Sequence, residues 1–180
     1  MTTTKLLFAI FALVTASPSS PQPERLNGEE LSQVLETAVA FTLKASARYS
    51  KAESSSHSVV FDTSSSLRSL RESGVAREVK LSRSLSIGRA FAMVARNEIL
   101  SCPNEVLSSA CTFTKSTTSV WIGKTSRVAD NQVSVLVHVM SPSTSTLDRN
   151  RISGYSVEVI VQKDQAGRWT AARMGKVVAG

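Results

Sequence analysis

The sequence has few of the residues from which catalytic and metal sites are usually built. It contains two histidines, two cysteines and 14 acidic residues among 180. Two histidines far apart in the chain do not form a metal site, and no Gly-rich loop follows a strand pattern to hold phosphate. The serines lie in neither a Gly-x-Ser-x-Gly elbow nor a Ser-x-x-Lys context with matched partners. The sequence therefore predicts no metal site and no cofactor.

Basic residues outnumber acidic ones, but they do not form a nucleic-acid-binding stripe. The net charge is +7 with histidine neutral. Between Arg68 and Arg96 the basic residues are interleaved with glutamates and have few aromatic neighbours, which is typical of a solvated surface rather than of polyanion binding. A nucleic-acid partner is not predicted.

The N-terminus has the features of a removable secretion signal. Lys5 precedes an apolar run over residues 6–14, and short side chains lead to Ala16. The run is far shorter than the roughly 20 residues needed to cross a bilayer. We therefore expect a signal peptide over residues 1–16 and no membrane span after its removal. Residues 17–26, with three prolines among polar residues, are predicted to be a disordered leader.

The two cysteines favour an oxidising compartment. Cys102 and Cys111 lie close together in the sequence, and an isolated pair in an exported chain most simply forms one disulfide. A redox pair normally has Cys-x-x-Cys spacing, and half of a metal site would need further ligands. We therefore expect a secreted or periplasmic protein with one stabilising disulfide.

The remaining residues, 27–180, fit a single domain that begins with an amphipathic helix. Asn27 and Glu30 have the spacing of reciprocal caps at a helix start. Apolar residues then recur at helical spacing to about Tyr49, which predicts a helix that covers a sheet.

The middle of the chain gives weaker patterns. Residues 57–62 are β-prone, Thr63 to Ser66 are N-cap candidates for a short helix over residues 67–73, and Gly74 ends that helix. Apolar residues between positions 85 and 100 fit a second covering helix.

The last third of the chain alternates apolar and polar residues, as half-buried strands do. Four strands are predicted, separated by turn-forming residues, over positions 120–128, 133–140, 155–161 and 168–178. Helices followed by collected strands indicate an α+β fold, in which N-terminal helices pack on a curved antiparallel sheet formed mainly by a C-terminal four-strand meander. The valines at odd positions of the two central strands are expected to form the covered wall.

The terminal hairpin resembles that of a known superfamily. Tyr155 to Val159 followed by Gly167, Arg168 and Trp169, together with the long first helix, resembles the cone-shaped superfamily of nuclear transport factor 2, ketosteroid isomerases and polyketide cyclases. The resemblance covers residues 27–180 and implies a curved sheet wrapped round helices, often with a pocket in the cone. It implies no single activity, because the superfold includes both enzymes and non-catalytic binding domains.

The enzymes of that superfamily use an Asp or a His–Asp pair in the cone, and the candidates here are His57, Asp62 and His138. None matches a family catalytic motif. His57 lies in a Ser-rich segment, and an Asp at the end of a strand, such as Asp62, more often caps the next helix. His138 lies on the even, less apolar face of its strand, as Glu158 does on the next predicted strand. We therefore expect an ion pair between them that raises the histidine pKa.

Two functions fit these observations. The first is an exported non-catalytic domain that binds a small hydrophobic ligand or a protein partner through the open end or the outer face of its sheet. The alternative is a lyase, isomerase or cyclase that acts in the cone. An enzyme requires a buried ionisable group facing a pocket, whereas a binding domain needs only an apolar hollow or patch.

Mass spectrometry of the exported protein tests the compartment prediction. We expect a chain that begins at or near Ser17 and a mass two hydrogens lower without reductant than with it, because Cys102 and Cys111 are joined. Two free thiols, or retention of residues 1–16, would contradict the prediction.

Overall fold

The computed structural model describes residues 25–49, 58–76, 92–102, 111–114, 117–142 and 152–179. The predicted signal peptide and nearly all of the leader lie outside these residues. The described part contains two α-helices and a six-stranded sheet, which confirms the α+β class.

The elements follow one another in a simple order. Two α-helices, a single 3₁₀ turn at Arg96–Glu98 and eight strands are present in the described residues. In chain order they are α1 (Gly28–Tyr49), β1 (Ser58–Asp62), α2 (Thr63–Ser73), β2 (Ala92–Val94), the 3₁₀ turn, β3 (Leu100–Ser101), β4 (Thr112–Phe113), β5 (Thr117–Ala129), β6 (Gln132–Pro142), β7 (Ile152–Lys163) and β8 (Trp169–Ala179).

The main sheet is mixed and larger than the four strands expected. Its order is β2-β1-β5-β6-β7-β8, while β3 and β4 form a separate two-stranded ribbon. The strands β5 to β8 pair antiparallel with their chain neighbours. However, β1 pairs parallel with both β2 and β5, whereas the expected sheet was antiparallel.

The predicted second covering helix is wrong over its described part. Residues 92–94 form β2, a 3₁₀ turn follows at Arg96–Glu98, and Leu100 begins β3. Pairing of Met93 with Phe61 adds this segment to the sheet, and such tertiary pairing overrides a weak local helix pattern. Residues 85–91 of that prediction lie outside the described part.

Helix α1 begins and packs as predicted. Asn27 Oδ1 accepts from the backbone N–H groups of Glu29 and Glu30 at 3.0 and 2.9 Å, and Glu30 Oε2 accepts from the Asn27 N–H. The buried side of the helix joins one cluster with the sheet valines. Its buried apolar residues are Leu31, Val34, Leu35, Ala38 and Val39.

The valine wall predicted for the central strands is confirmed. Successive odd positions of β6 pair with odd positions of β7, so that these valines share one face. All are buried in the cluster that contains α1. They are Val133, Val135, Val137, Val157, Val159 and Val161. We call this the core face of the sheet and its opposite the outer face.

Two β-bulges lie in one row across the sheet. The Gly-Lys pair at 123–124 of β5 faces the single residue Leu136, and the Gly-Lys pair at 175–176 of β8 faces the single residue Glu158. Leu136 and Glu158 are themselves partners. Because an extra residue bends its strand and increases the local twist, both outer strands of the β5-to-β8 set bend at the same level.

The predicted disulfide is present. Cys102 and Cys111 are bonded and connect the end of β3 to the start of β4. No helix in the described part of the chain is both long and apolar enough to cross a membrane.

Truncation of a wall residue tests the core assignment. Val159→Ala removes two methyl groups from a site with 0% exposure, and we expect a loss of about 1–3 kcal/mol from burial and the cavity left behind. Val128→Ala on β5 is the matched control, since Val128 is 58% exposed. Urea unfolding measures both, and equal losses for the two variants would show that the faces are wrongly assigned.

Candidate functional site

The outer face of the sheet carries large apolar side chains that α1 does not cover. They alternate with the core-face residues along β5, β6 and β7. We name this set the outer strip, and it comprises Trp121, Leu136, Met140 and Ile160. Met140 and Ile160 are buried, whereas Trp121 and Leu136 are half-buried. Apolar residues on both faces are usual for strands covered on both sides, so the outer strip is a candidate binding site for an apolar group.

A stack of planar groups crosses the outer strip. The rings of Trp121 and His138, which are cross-strand partners, lie 4.8 Å apart between centroids and 14° from parallel. The Arg96 guanidinium carbon lies 5.8 Å from the Trp121 ring centroid, a cation–π distance. Arg96 Nε also donates to Asp62 Oδ2 at 3.3 Å, so that its charge is paired.

The two glycines of the bulges make room for outer-face side chains. A Cβ at position 123 would collide with the His138 imidazole, 2.7 Å from its Cδ2. A Cβ at position 175 would lie 2.7 Å from Glu158 Oε2. Each glycine therefore lets a polar side chain from the neighbouring strand lie flat against the sheet.

Of the predicted site residues, Asp62 has the structural role that its position suggested. It is buried and N-caps α2, since Oδ1 accepts from the Ser65 N–H at 3.0 Å and from Ser64 Oγ at 2.8 Å. Its second oxygen accepts from Ser65 Oγ and from Arg96. The helix thus begins at Thr63, ahead of the predicted residue 67. His57 lies outside the described residues.

The expected pairing of His138 with Glu158 is replaced by two hydroxyl contacts. His138 Nδ1 lies 2.7 Å from Oγ of Ser156, its direct partner on β7. Glu158 Oε1 accepts from Ser134 Oγ at 2.6 Å. Glu158 is only diagonal to His138, because the register places it opposite Leu136.

The pKa of His138 is lowered rather than raised. Burial of the imidazole disfavours its charged form, and the positive charge of Arg96 adds to this effect. His138 is therefore neutral at pH 7. Its ring is stacked on one residue, bonded to another and laid over a glycine, which favours a positioned, structural histidine over a general base.

On the core face of the described residues, the buried polar side-chain groups are hydroxyls and Nε1 of Trp169, which has no hydrogen-bond partner. The buried hydroxyls that adjoin α1 and α2 are bonded locally: Thr42 Oγ1 donates to Ala38 O at 2.9 Å, and Ser66 Oγ donates to Asp62 O at 2.7 Å. Asp62 is the only ionisable residue among the buried side chains of the described ranges. Those ranges also hold no cluster of three or more His, Cys, Asp or Glu residues that could hold a metal.

The two tryptophans have different places. Trp169 is a core residue, and Lys163 Nζ lies 5.6 Å from its ring centroid while bonding Glu30 Oε1 of α1 at 2.8 Å. The hydrogen bond to Lys163 is the main reason that the pKa of Glu30 is lowered. Trp121 is on the outer face, where it is half-buried.

Sequence reasoning missed Arg96 because that segment was assigned to a helix. It also missed Ser119, because the predicted strand began at residue 120. Ser119 lies two residues before Trp121, so the alternation of faces along β5 places both on the outer face.

Comparison with protein-family models, with curated proteins and with solved structures found no match for this chain.

A histidine titration by NMR tests the site geometry. We expect His138 to titrate below the ordinary value of about 6.5, and Arg96→Gln to raise its pKa because one unfavourable charge is removed. Glu158→Gln should leave the titration unmoved. Since the folded pKa lies below the unfolded one, the unfolded chain binds the proton first as pH falls, and stability should decrease below about pH 6.5 until the folded pKa is passed.

An upward shift of the His138 pKa, or a clear response to Glu158→Gln, would contradict this geometry and support an ion pair between His138 and Glu158.

Proposed function

We propose that the protein is an exported, non-catalytic domain that binds a small apolar molecule against the outer face of its sheet. The observation that carries the proposal is the outer strip. Trp121 and Leu136 are half-buried on the face away from α1, and a sheet that needed only one covered face would place polar residues there. Partly exposed apolar side chains on a sheet face give a small apolar molecule a surface to bind.

Export is supported by two observations. The disulfide between Cys102 and Cys111 is typical of an oxidising compartment. The sequence of residues 1–16 has the charge, apolar run and small residues of a signal peptide. Both favour a secreted or periplasmic location.

The fold that we propose in detail is a cone of the nuclear transport factor 2 type. The two bulges in one row support a curved four-strand meander formed by β5 to β8, since bulges bend the strands that contain them. The packing of α1 on β6, β7 and β8 is the arrangement that such a curved sheet would need.

Binding is favoured over the alternative, a lyase, isomerase or cyclase in the cone. A catalytic acid or base in the cone requires an ionisable side chain directed into it. In the core cluster that α1 forms with the described strands, the buried side chains are aliphatic, apart from Phe61 and Trp169, and the buried polar groups beside them are hydroxyls. The carboxylate of Asp62 is buried, but it already caps the N-terminus of α2 and pairs with Arg96.

A dye titration tests this proposal. N-phenyl-1-naphthylamine is neutral and apolar, and we expect it to bind saturably and to accept energy from Trp121. Trp121→Ala should weaken binding at least about tenfold, which corresponds to roughly 1.4 kcal/mol. Leu136→Ala should weaken it less, and the exposed control Val128→Ala should leave it unchanged.

Val39→Ala separates the outer face from the cone. Val39 is a buried α1 residue of the core cluster, so its truncation enlarges the space on the core face alone. A dye affinity that responds to Val39→Ala and not to Trp121→Ala would overturn the proposal in favour of a cone pocket. Absence of saturable binding would overturn it as well. Circular dichroism of each variant establishes that it is folded.

A further inference from the structure

Two buried hydroxyl groups on β5 have no hydrogen-bond partner in the described structure. They are Oγ1 of Thr117 and Oγ of Ser119. Their residues are 7% and 1% exposed, so bulk water does not reach them freely. Buried hydroxyls are nearly always bonded, and two orphaned groups on one strand call for an explanation.

Both hydroxyls lie on the outer face, next to the outer strip. Ser119 pairs with Met140 on one side and with Val60 on the other, and both of these neighbours are buried. Thr117, Ser119 and Trp121 occupy every second position of the same strand and therefore share one face, about 6.6–6.8 Å apart from one to the next. The hydroxyls therefore extend the apolar strip with a polar end.

The orphaned groups are not a general feature of this strand. Thr118 lies between them and faces the opposite way, and its Oγ1 is 2.9 Å from Ser141 Oγ. Ser66 Oγ, which is also buried, receives the N–H of Ile122 at 2.9 Å. Among the described residues, three buried polar side-chain atoms have no partner. Two of them are these hydroxyls on the face that carries the outer strip, and the third is Nε1 of Trp169 in the core. Such local costs are expected to persist at functional sites.

The charges near this end of the strip cancel. Arg96 is paired with Asp62, and the lowered pKa of His138 makes it neutral at pH 7. A charged ligand would lose its hydration without gaining an unpaired counter-charge among these groups. A neutral ligand with a hydrogen-bonding group does not incur that loss.

We propose that Thr117 and Ser119 form the polar end of the outer-face site and that its ligand is a small neutral molecule with a hydroxyl or carbonyl group on an apolar body. The apolar body lies against Met140 and Trp121, and the polar group bonds one or both hydroxyls. This inference rests on the proposed function, and it adds the chemical class of the ligand.

A matched pair of probes tests the inference. p-Cresol and p-xylene differ by one hydroxyl in place of one methyl group, and binding of each is followed by the methyl resonance of Met140 in protein labelled at methionine. We expect both to shift that resonance saturably. Ser119→Ala and Thr117→Val should weaken p-cresol by about 2–10-fold, as expected for loss of one hydrogen bond, and leave p-xylene unchanged or slightly tighter.

The stability of the unliganded protein gives a second test, because truncation of a buried side chain is here expected to raise the Tm. Removal of an unpaired buried hydroxyl relieves a cost, so Ser119→Ala should raise the Tm by about 2–4 °C. Thr118→Val is the matched control on the same strand. It breaks the contact with Ser141, so it should lower the Tm and leave p-cresol binding unchanged.

The outcomes separate this inference from the proposed function. One outcome is that dye binding responds to Trp121→Ala while neither Ser119→Ala nor Thr117→Val changes the preference for p-cresol. In that case the outer face binds the dye, and the assigned polar end is wrong. If Ser119→Ala lowers the Tm, its hydroxyl already has a structural partner such as ordered water, and the inference fails. If neither the dye nor either probe binds, the proposed function itself fails.

Discussion

Burial of the valine wall beneath α1 is the interaction on which the rest of the structure depends. The paired valines of β6 and β7 contribute no polar atom beyond the backbone, so they require a cover. The amphipathic α1 supplies it, and the bond from Lys163 to Glu30 fixes the start of the helix near the β7–β8 hairpin. With one face of the sheet closed in this way, the stack of Arg96, Trp121 and His138 lies on the other face or at its margin.

The junction between β1 and α2 connects the two faces. Asp62 ends β1, caps α2 and holds Arg96, which in turn lies over Trp121 on the outer face. A residue whose sequence context suggested either a cap or a catalytic acid is therefore a positioning group. Its carboxylate sets where a helix starts and where a cation lies, and both depend on its burial with all of its partners in place.

Elements with strong local patterns could be predicted from the sequence, whereas the side-chain contacts of the outer-face site could not. The capping pair of Asn27 and Glu30 and the alternation of Val133 to Val139 are local signals that agree with the packing. The failure at residues 92–100 has a different origin, because β2 exists only through parallel pairing with β1, a contact between distant parts of the chain. The alternation of residues places His138 and Glu158 on the same face, but it does not determine the strand register. The register makes Ser156 the direct partner of His138 and leaves Glu158 diagonal to it. Arg96 was missed for the same reason as β2.

The bulges of β8 have a consequence for how the protein meets other molecules. β8 is the terminal strand of the main sheet, and its irregularities near Ala172 and at the Gly-Lys pair 175–176 divide it into short regular stretches. A strand from another molecule could pair with this edge for only a few residues before the register is interrupted. The exposed cations Arg173 and Lys176 lie beside these interruptions. Edges interrupted in this way resist open-ended strand addition. The same distortion that bends the sheet thus also disfavours pairing with a second strand at an edge that exposes Val177 and Val178.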